Sequence, residues 1–120
     1  MDISKFISIA FNKIRDLQKN PTCNIIKKEY IGDPLEVQSV STKIYKDIPL
    51  VYIGQPYKVD DYYPTPSKVT TFYIKIEDLH NLGIDIDFNT LIEFENKQYR
   101  ITNISKIINL YKITANLVLT

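Results

Sequence analysis

The chain carries one histidine, His80, and one cysteine, Cys23, so any nucleophile and base pair would have to be drawn from these two residues. Nucleophilic catalysis needs the two within hydrogen-bond reach, with a third group to orient the base. They sit on unrelated elements, and no motif surrounds either. Cys23 reads as a small buried hydrophobe near the start of a strand. Glu77 stands three residues before His80, but no second His or Cys lies nearby to complete a tetrahedral zinc set. His80 therefore reads as a surface residue on a short turn. Asp85 and Asp87 alternate with apolar residues between Gly83 and Phe88, and Asp60 and Asp61 precede Tyr62 and Tyr63. Acids so spaced can meet calcium, but the twelve-residue loop with its closing Glu is absent. They read as turn and strand-edge acids. Gly32, Gly54 and Gly83 lie too far apart to form a phosphate-cradling loop. These residues point away from an enzyme, and no metal or cofactor is expected.

Aromatic residues offer a different chemistry. Nine tyrosines and no tryptophan are present. Tyr99, between Gln98 and Arg100 in a strand pattern, reads as core. Tyr52, Tyr57, Tyr62 and Tyr63 fall in the stretch Lys46 to Ser67, which also holds Pro49, Pro56, Pro64 and Pro66. So many prolines argue against a central strand and favour an extended arm or long loop. The tyrosines argue against simple disorder, which is poor in aromatics. Tyrosine supplies a large amphipathic contact area at low entropic cost. Tyr57, Asp60, Asp61, Tyr62 and Tyr63 are therefore candidate partner-interface residues. The competing reading has the arm folding back on its own domain.

The elements that must carry these residues begin with a helix over 2 to about 18. Asp2 or Ser4 can cap it, and Ile3, Phe6, Ile7, Ala10, Phe11, Ile14 and Leu17 recur at helical spacing. Lys19 and Asn20 suit its negative pole, and Pro21 stops it. Strand patterns follow. Thr22 to Tyr30 runs to the turn signal Gly32-Asp33-Pro34, and Val37 to Tyr45 alternates. Val69 to Ile76 puts Phe72, Ile74 and Ile76 on one face, and Glu77 to Leu82 reads as a helical turn closed by Gly83. The last third reads as a meander: Leu91 to Glu95, a tight turn at Asn96-Lys97, Gln98 to Ile104, and a closing strand through Tyr111, Ile113, Ala115, Leu117 and Leu119. The expected fold is α+β and mainly β, with an N-terminal amphipathic helix packed on a small antiparallel β-sandwich or barrel. One domain covers 1–120, with the helix at 2–19, the β-domain at 22–120 and a long proline-rich arm at about 46–67.

The bulk properties set wider bounds. At 120 residues, 44% hydrophobic and 24% charged, the chain can bury roughly two thirds of its unfolded surface without disulfide or metal. Its 15 basic and 14 acidic residues leave a net charge of +1, with no basic cluster of the kind that drives polyanion binding. Incidental contact with DNA stays open. A single cysteine fits synthesis in a reducing cytoplasm. The apolar stretches are too short to cross a bilayer, so no membrane contact is expected. The charged N-terminus lacks a cleavage site and reads as mature protein.

The order of these elements resembles a known family. A helix, strands and a long loop lead into Thr71-Phe72-Tyr73-Ile74-Lys75-Ile76-Glu77-Asp78-Leu79, then Gly83, Ile92-Glu93-Phe94-Glu95 and Gln98-Tyr99-Arg100-Ile101-Thr102-Asn103-Ile104. This looks like the head–tail joining protein of lambda-like tailed phages, and more broadly like phage head-closure and head–tail adaptor proteins. The detailed match covers about 70 to 104. The chain departs from the pattern at Asn96-Lys97, where relatives tend to carry glycine, and in the arm. The resemblance implies a virion neck protein, made in the host cytoplasm, whose copies form a homo-oligomeric ring. Its partners would be the portal or adaptor on the head side and the tail terminator on the other. Its mechanism would be mechanical, keeping DNA in the head and presenting a surface for the tail. A tail terminator, another tail or baseplate component, and an unrelated protein-binding module are the competing readings.

Overall fold

The computed structural model describes residues 2–33, 36–54 and 69–118. Helix α1 spans Ile3–Leu17. The Asp2 carboxylate starts it by accepting the Ser4 N–H at 3.0 Å, which satisfies one of the orphan donors of the first turn. Beyond Gln18, Lys19 and Asn20 both take positive φ, and Asn20 N–H reaches back to the Arg15 carbonyl at 2.8 Å. That wrap satisfies late carbonyls and turns the chain into the first strand.

Seven strands follow among the described residues: β1 (Thr22–Asp33), β2 (Glu36–Pro49), β3 (Val51–Gly54), β4 (Val69–Lys75), β5 (Thr90–Phe94), β6 (Lys97–Ile107) and β7 (Leu110–Leu117), with helix α2 (Ile76–Asn81) after β4. They form one antiparallel sheet in the order β2-β1-β5-β6-β7-β4-β3. Strands β2 and β3 are its two outer edges, yet Leu50 alone separates them in the chain. The edges must therefore meet at that end, and the sheet curls into a half-barrel. Extra residues in the β1–β2 and β6–β7 ladders, near Asn24 and Thr102, add local twist.

The curl encloses the main core: Ile25, Ile48, Leu50, Phe72, Ile74, Ile92, Phe94, Tyr99, Ile101, Ile113 and Ala115, with Cys23. Helix α2 and the segment after it plug the concave side with Leu79 and Ile84, and Gly83 takes φ +68 at the corner between them. Phe72 packs edge-on against both Phe94 (5.6 Å between ring centroids) and Tyr99 (5.3 Å), a favoured aromatic geometry.

Three expectations need correction. The sheet is a single curled layer rather than a sandwich or closed barrel. The reason is the single-residue link at Leu50, which draws the edges together at one end only. The arm does not begin at Lys46: Lys46 to Pro49 ends β2, Val51–Gly54 is β3, and Ile48, Leu50 and Val51 are buried. Pro49 is tolerated because it terminates an edge strand, where no ladder donor is needed; 55–67 lies outside the described residues. The β5–β6 turn sits at Glu95-Asn96, one residue early. Both residues take positive φ there, as a two-residue hairpin turn requires. Beyond Lys27, where pairing with β5 ends, β1 and β2 continue as a two-stranded ribbon bonded, among the described residues, only to each other.

Candidate docking surfaces

Helix α1 lies on the face of the sheet opposite the main core. Strand alternation separates the two faces, with Phe72 and Ile74 turned to the core and Tyr73 turned to α1. Phe11 is the buried residue of the helix, packed with Val51 and Leu110. Polar ties supplement this small apolar contact. Asn109, in the β6–β7 turn, donates to the Ser4 carbonyl (3.2 Å) and the Ser8 hydroxyl (2.9 Å). The Ile76 N–H donates to the Asn109 carbonyl at 3.0 Å. With Asn109 so fixed, its neighbour Ile108 is held at φ +54, a strained conformation for a β-branched residue. Lys75 donates to Asn12 (3.2 Å) and lies 5.1 Å from the centre of the Phe11 ring, a cation–π distance.

At the other end, Gln18 acts like a strand neighbour. Its amide donates to the Tyr52 carbonyl (2.8 Å), and the Tyr52 N–H donates to its side-chain oxygen (3.2 Å). Edge strand β3 thus has outward backbone groups occupied by a side chain rather than left open for another chain.

The described residues leave much of the apolar stripe uncovered. On a helix, residues four apart form rows. In the row Ile3–Ile7–Phe11, only the last two residues reach the sheet. In the row Phe6–Ala10–Ile14, Ala10 and Ile14 line a groove of about 300 Å³ between α1 and the sheet, with Val51, Ile53 and Tyr73 on the sheet side, while Phe6 is exposed at the start of the row. Beyond it, Lys5–Ile9–Lys13–Leu17 faces outward. Leu17 is 85% exposed, Ile3 63% and Phe6 58%. Monomeric proteins rarely leave so continuous an apolar surface without a use for it.

The residues with chemical potential do not converge. Cys23 is buried in the core, and desolvation pushes its thiol up to about 12, the opposite of nucleophile activation. His80 is exposed on α2. Asp87 shapes its own turn, accepting from Asn89 N–H (2.9 Å) and the Thr90 hydroxyl (3.0 Å). It also pairs with Lys27 at 3.7 Å, and Lys27 donates to the Asp85 carbonyl as well. Among the described residues no cluster of His, Cys, Asp or Glu could hold a metal ion. Nor is any helix there long and apolar enough to cross a membrane.

No protein-family model matches the chain, and no curated protein matches it in sequence. Among solved structures it is similar to the phage-like element PBSX protein xkdH from Bacillus subtilis, at 16% identity and a TM-score of 0.50. The match covers 79% of this chain and 90% of that one. The likeness is one of fold. It spans nearly all of the PBSX protein.

The interface residues expected from sequence, Tyr57, Asp60, Asp61, Tyr62 and Tyr63, lie outside the described residues. Sequence reasoning missed three features: Gln18 as an edge-strand partner, the uncovered half of the α1 stripe, and a separation of charge. From Ile76 to Asn96 there are six acids (Glu77, Asp78, Asp85, Asp87, Glu93 and Glu95) and no Lys or Arg. A net charge near zero conceals that run, and a windowed count would have exposed it.

Proposed function

We propose that the chain is a non-enzymatic structural subunit of a phage-type particle, working at the neck in a ring that joins the DNA-filled head to the tail. The observation that carries this reading is the fold likeness to a phage-element protein over 90% of that protein's length. It is supported by the detailed resemblance of about 70 to 104 to head–tail joining proteins. It is supported too by the large apolar surface left open on α1, because a protein that works by docking needs surface that its own fold does not consume. In this reading the portal or adaptor binds one side of the ring and the tail terminator the other. Tyr57, Asp60, Asp61, Tyr62 and Tyr63 serve as contacts to a neighbouring subunit.

Deleting the gene from the element that encodes it should leave filled heads and finished tails unjoined in electron micrographs. Normal joined particles would overturn the reading, and tails of uncontrolled length would favour a tail terminator. Replacing residues 55–66 with a short Gly/Ser linker should leave the melting temperature near normal while abolishing joining. A collapse in melting temperature would remove those tyrosines and acids from the interface.

A further inference from the structure

We infer that α1 of one copy docks on the Leu82–Phe88 side of a second copy, so that subunits join head to tail. This deepens the ring reading, from which it takes only that the chain of contacts closes.

Two exposed apolar patches lie on opposite sides of the sheet. One is the α1 groove with Phe6, Ile3 and Leu17. The other is the segment after α2, where Leu82 is 50% and Phe88 62% exposed, while Leu79 and Ile84 anchor that segment in the concave core. Their charges are complementary. The outer row of α1 carries Lys5 and Lys13, with Lys19 just beyond the helix, against Asp2 at its start and Asp16 near its end. The opposite segment carries Glu77, Asp78, Asp85 and Asp87 with no Lys or Arg among them. Asp87 is partly occupied by Lys27, which leaves Glu77, Asp78 and Asp85 without an ion-pair partner among the described residues.

The signs decide the mode of pairing. A two-fold dimer through α1 would set Lys5 and Lys13 against their own copies, and one through the Leu82–Phe88 segment would set acid against acid. Like-charge contacts of this kind are unfavourable, whereas the mixed contact is attractive. A mixed contact is heterologous: each copy uses both patches, so copies add in one direction and close if the rotation allows. The groove, about 300 Å³ and lined almost wholly by apolar side chains, has room for an aromatic side chain such as Phe88.

Analytical ultracentrifugation of the full chain at low salt tests the contact without any phage component. Reversible association is expected at several hundred micromolar, because exposed charge pairs are screened by salt, and it should weaken as salt is added. Lys5→Glu with Lys13→Glu should weaken it by about tenfold or more, and so should Glu77→Lys with Asp85→Lys. Mixing the two variants should restore pairing, because each then presents a patch complementary to the other. Phe6→Ser and Phe88→Ser test the apolar part and should each weaken association. All the substituted sites are exposed, and unchanged melting temperatures would show that the variants fold. No self-association at millimolar concentration, association unchanged by either reversal, or failure of the mixture to recover would each overturn the contact. A failed joining experiment on particles would leave this contact standing, so the two proposals fail separately.

Discussion

The two faces of the sheet are built on opposite terms. The concave face closes on itself: Phe72, Phe94, Tyr99, Ile25, Ile92 and Ile113 interlock inside the curl, and α2 caps them. Among the described residues the α1 face is sparsely covered. One helix rests on it through Phe11, and polar ties from Asn109, Lys75 and Gln18 supply much of what holds the helix in place. The difference separates two uses of apolar surface. On the concave face it is consumed in folding, and on the α1 face much of it remains available to a partner.

Substitutions can break or sharpen that contrast. Truncating the concave core should cost most. Phe72→Ala or Tyr99→Ala should destabilise the chain by about 3–5 kcal/mol, since each removes an aromatic ring from a closely packed cluster. Denaturant melts of both variants will measure this. Total stability for a domain of this size is about 5–15 kcal/mol, so soluble yield should fall as well.

Alkaline titration comes next. Burial raises the Cys23 thiol to about 12 in the folded chain, so above about pH 9 the unfolded chain ionises while the folded one does not. The thiol's contribution is fully present below that pH. It is lost as pH rises toward 12, at about 1.4 kcal/mol per unit for one proton. Cys23→Ala should flatten the slope of stability against pH over this window. An unchanged slope would mean that other groups set it.

On the α1 face the expected losses are smaller. Gln18→Ala removes both hydrogen bonds to the Tyr52 backbone and should cost about 1–2 kcal/mol. Hydrogen exchange at Tyr52 should accelerate more than at Phe72 on the neighbouring strand. Leu17→Ser should change stability by less than about 0.5 kcal/mol, because that side chain is already solvated. A loss as large as that of Phe72→Ala would mean that the helix stripe belongs to the core after all, and the contrast between faces would collapse.

Much of the fold was readable locally. The start of α1 at Asp2, the alternation of Phe72 and Ile74, the turn closed by Gly83, the burial of Tyr99 and the closing strand through Tyr111, Ile113 and Ala115 follow from periodicity and turn chemistry, which act over a few residues. The candidate docking surface was legible only in part. The seven-residue apolar stripe of α1 was plain, but its spacing is the same whether a sheet, a partner or water covers it. Lys46–Gly54 was misread because the four prolines of the stretch Lys46 to Ser67 outweighed the apolar run Leu50-Val51-Tyr52-Ile53, although Pro49 falls at a strand end where it does no harm.

Outside Lys46–Gly54, element types and core-facing residues were thus determined by the sequence itself, because side-chain period and backbone preference are properties of neighbours in the chain. Tertiary structure decided the rest. That β2 and β3 become opposite edges joined through Leu50 depends on pairings between strands far apart in sequence, as does the choice of one curled sheet over two stacked ones. The same holds for Gln18 meeting Tyr52 and for the acidic segment lying across the sheet from the lysines of α1. These relations come from long-range contacts, each of which must offset the entropy of closing its loop, and no window of neighbouring residues encodes them.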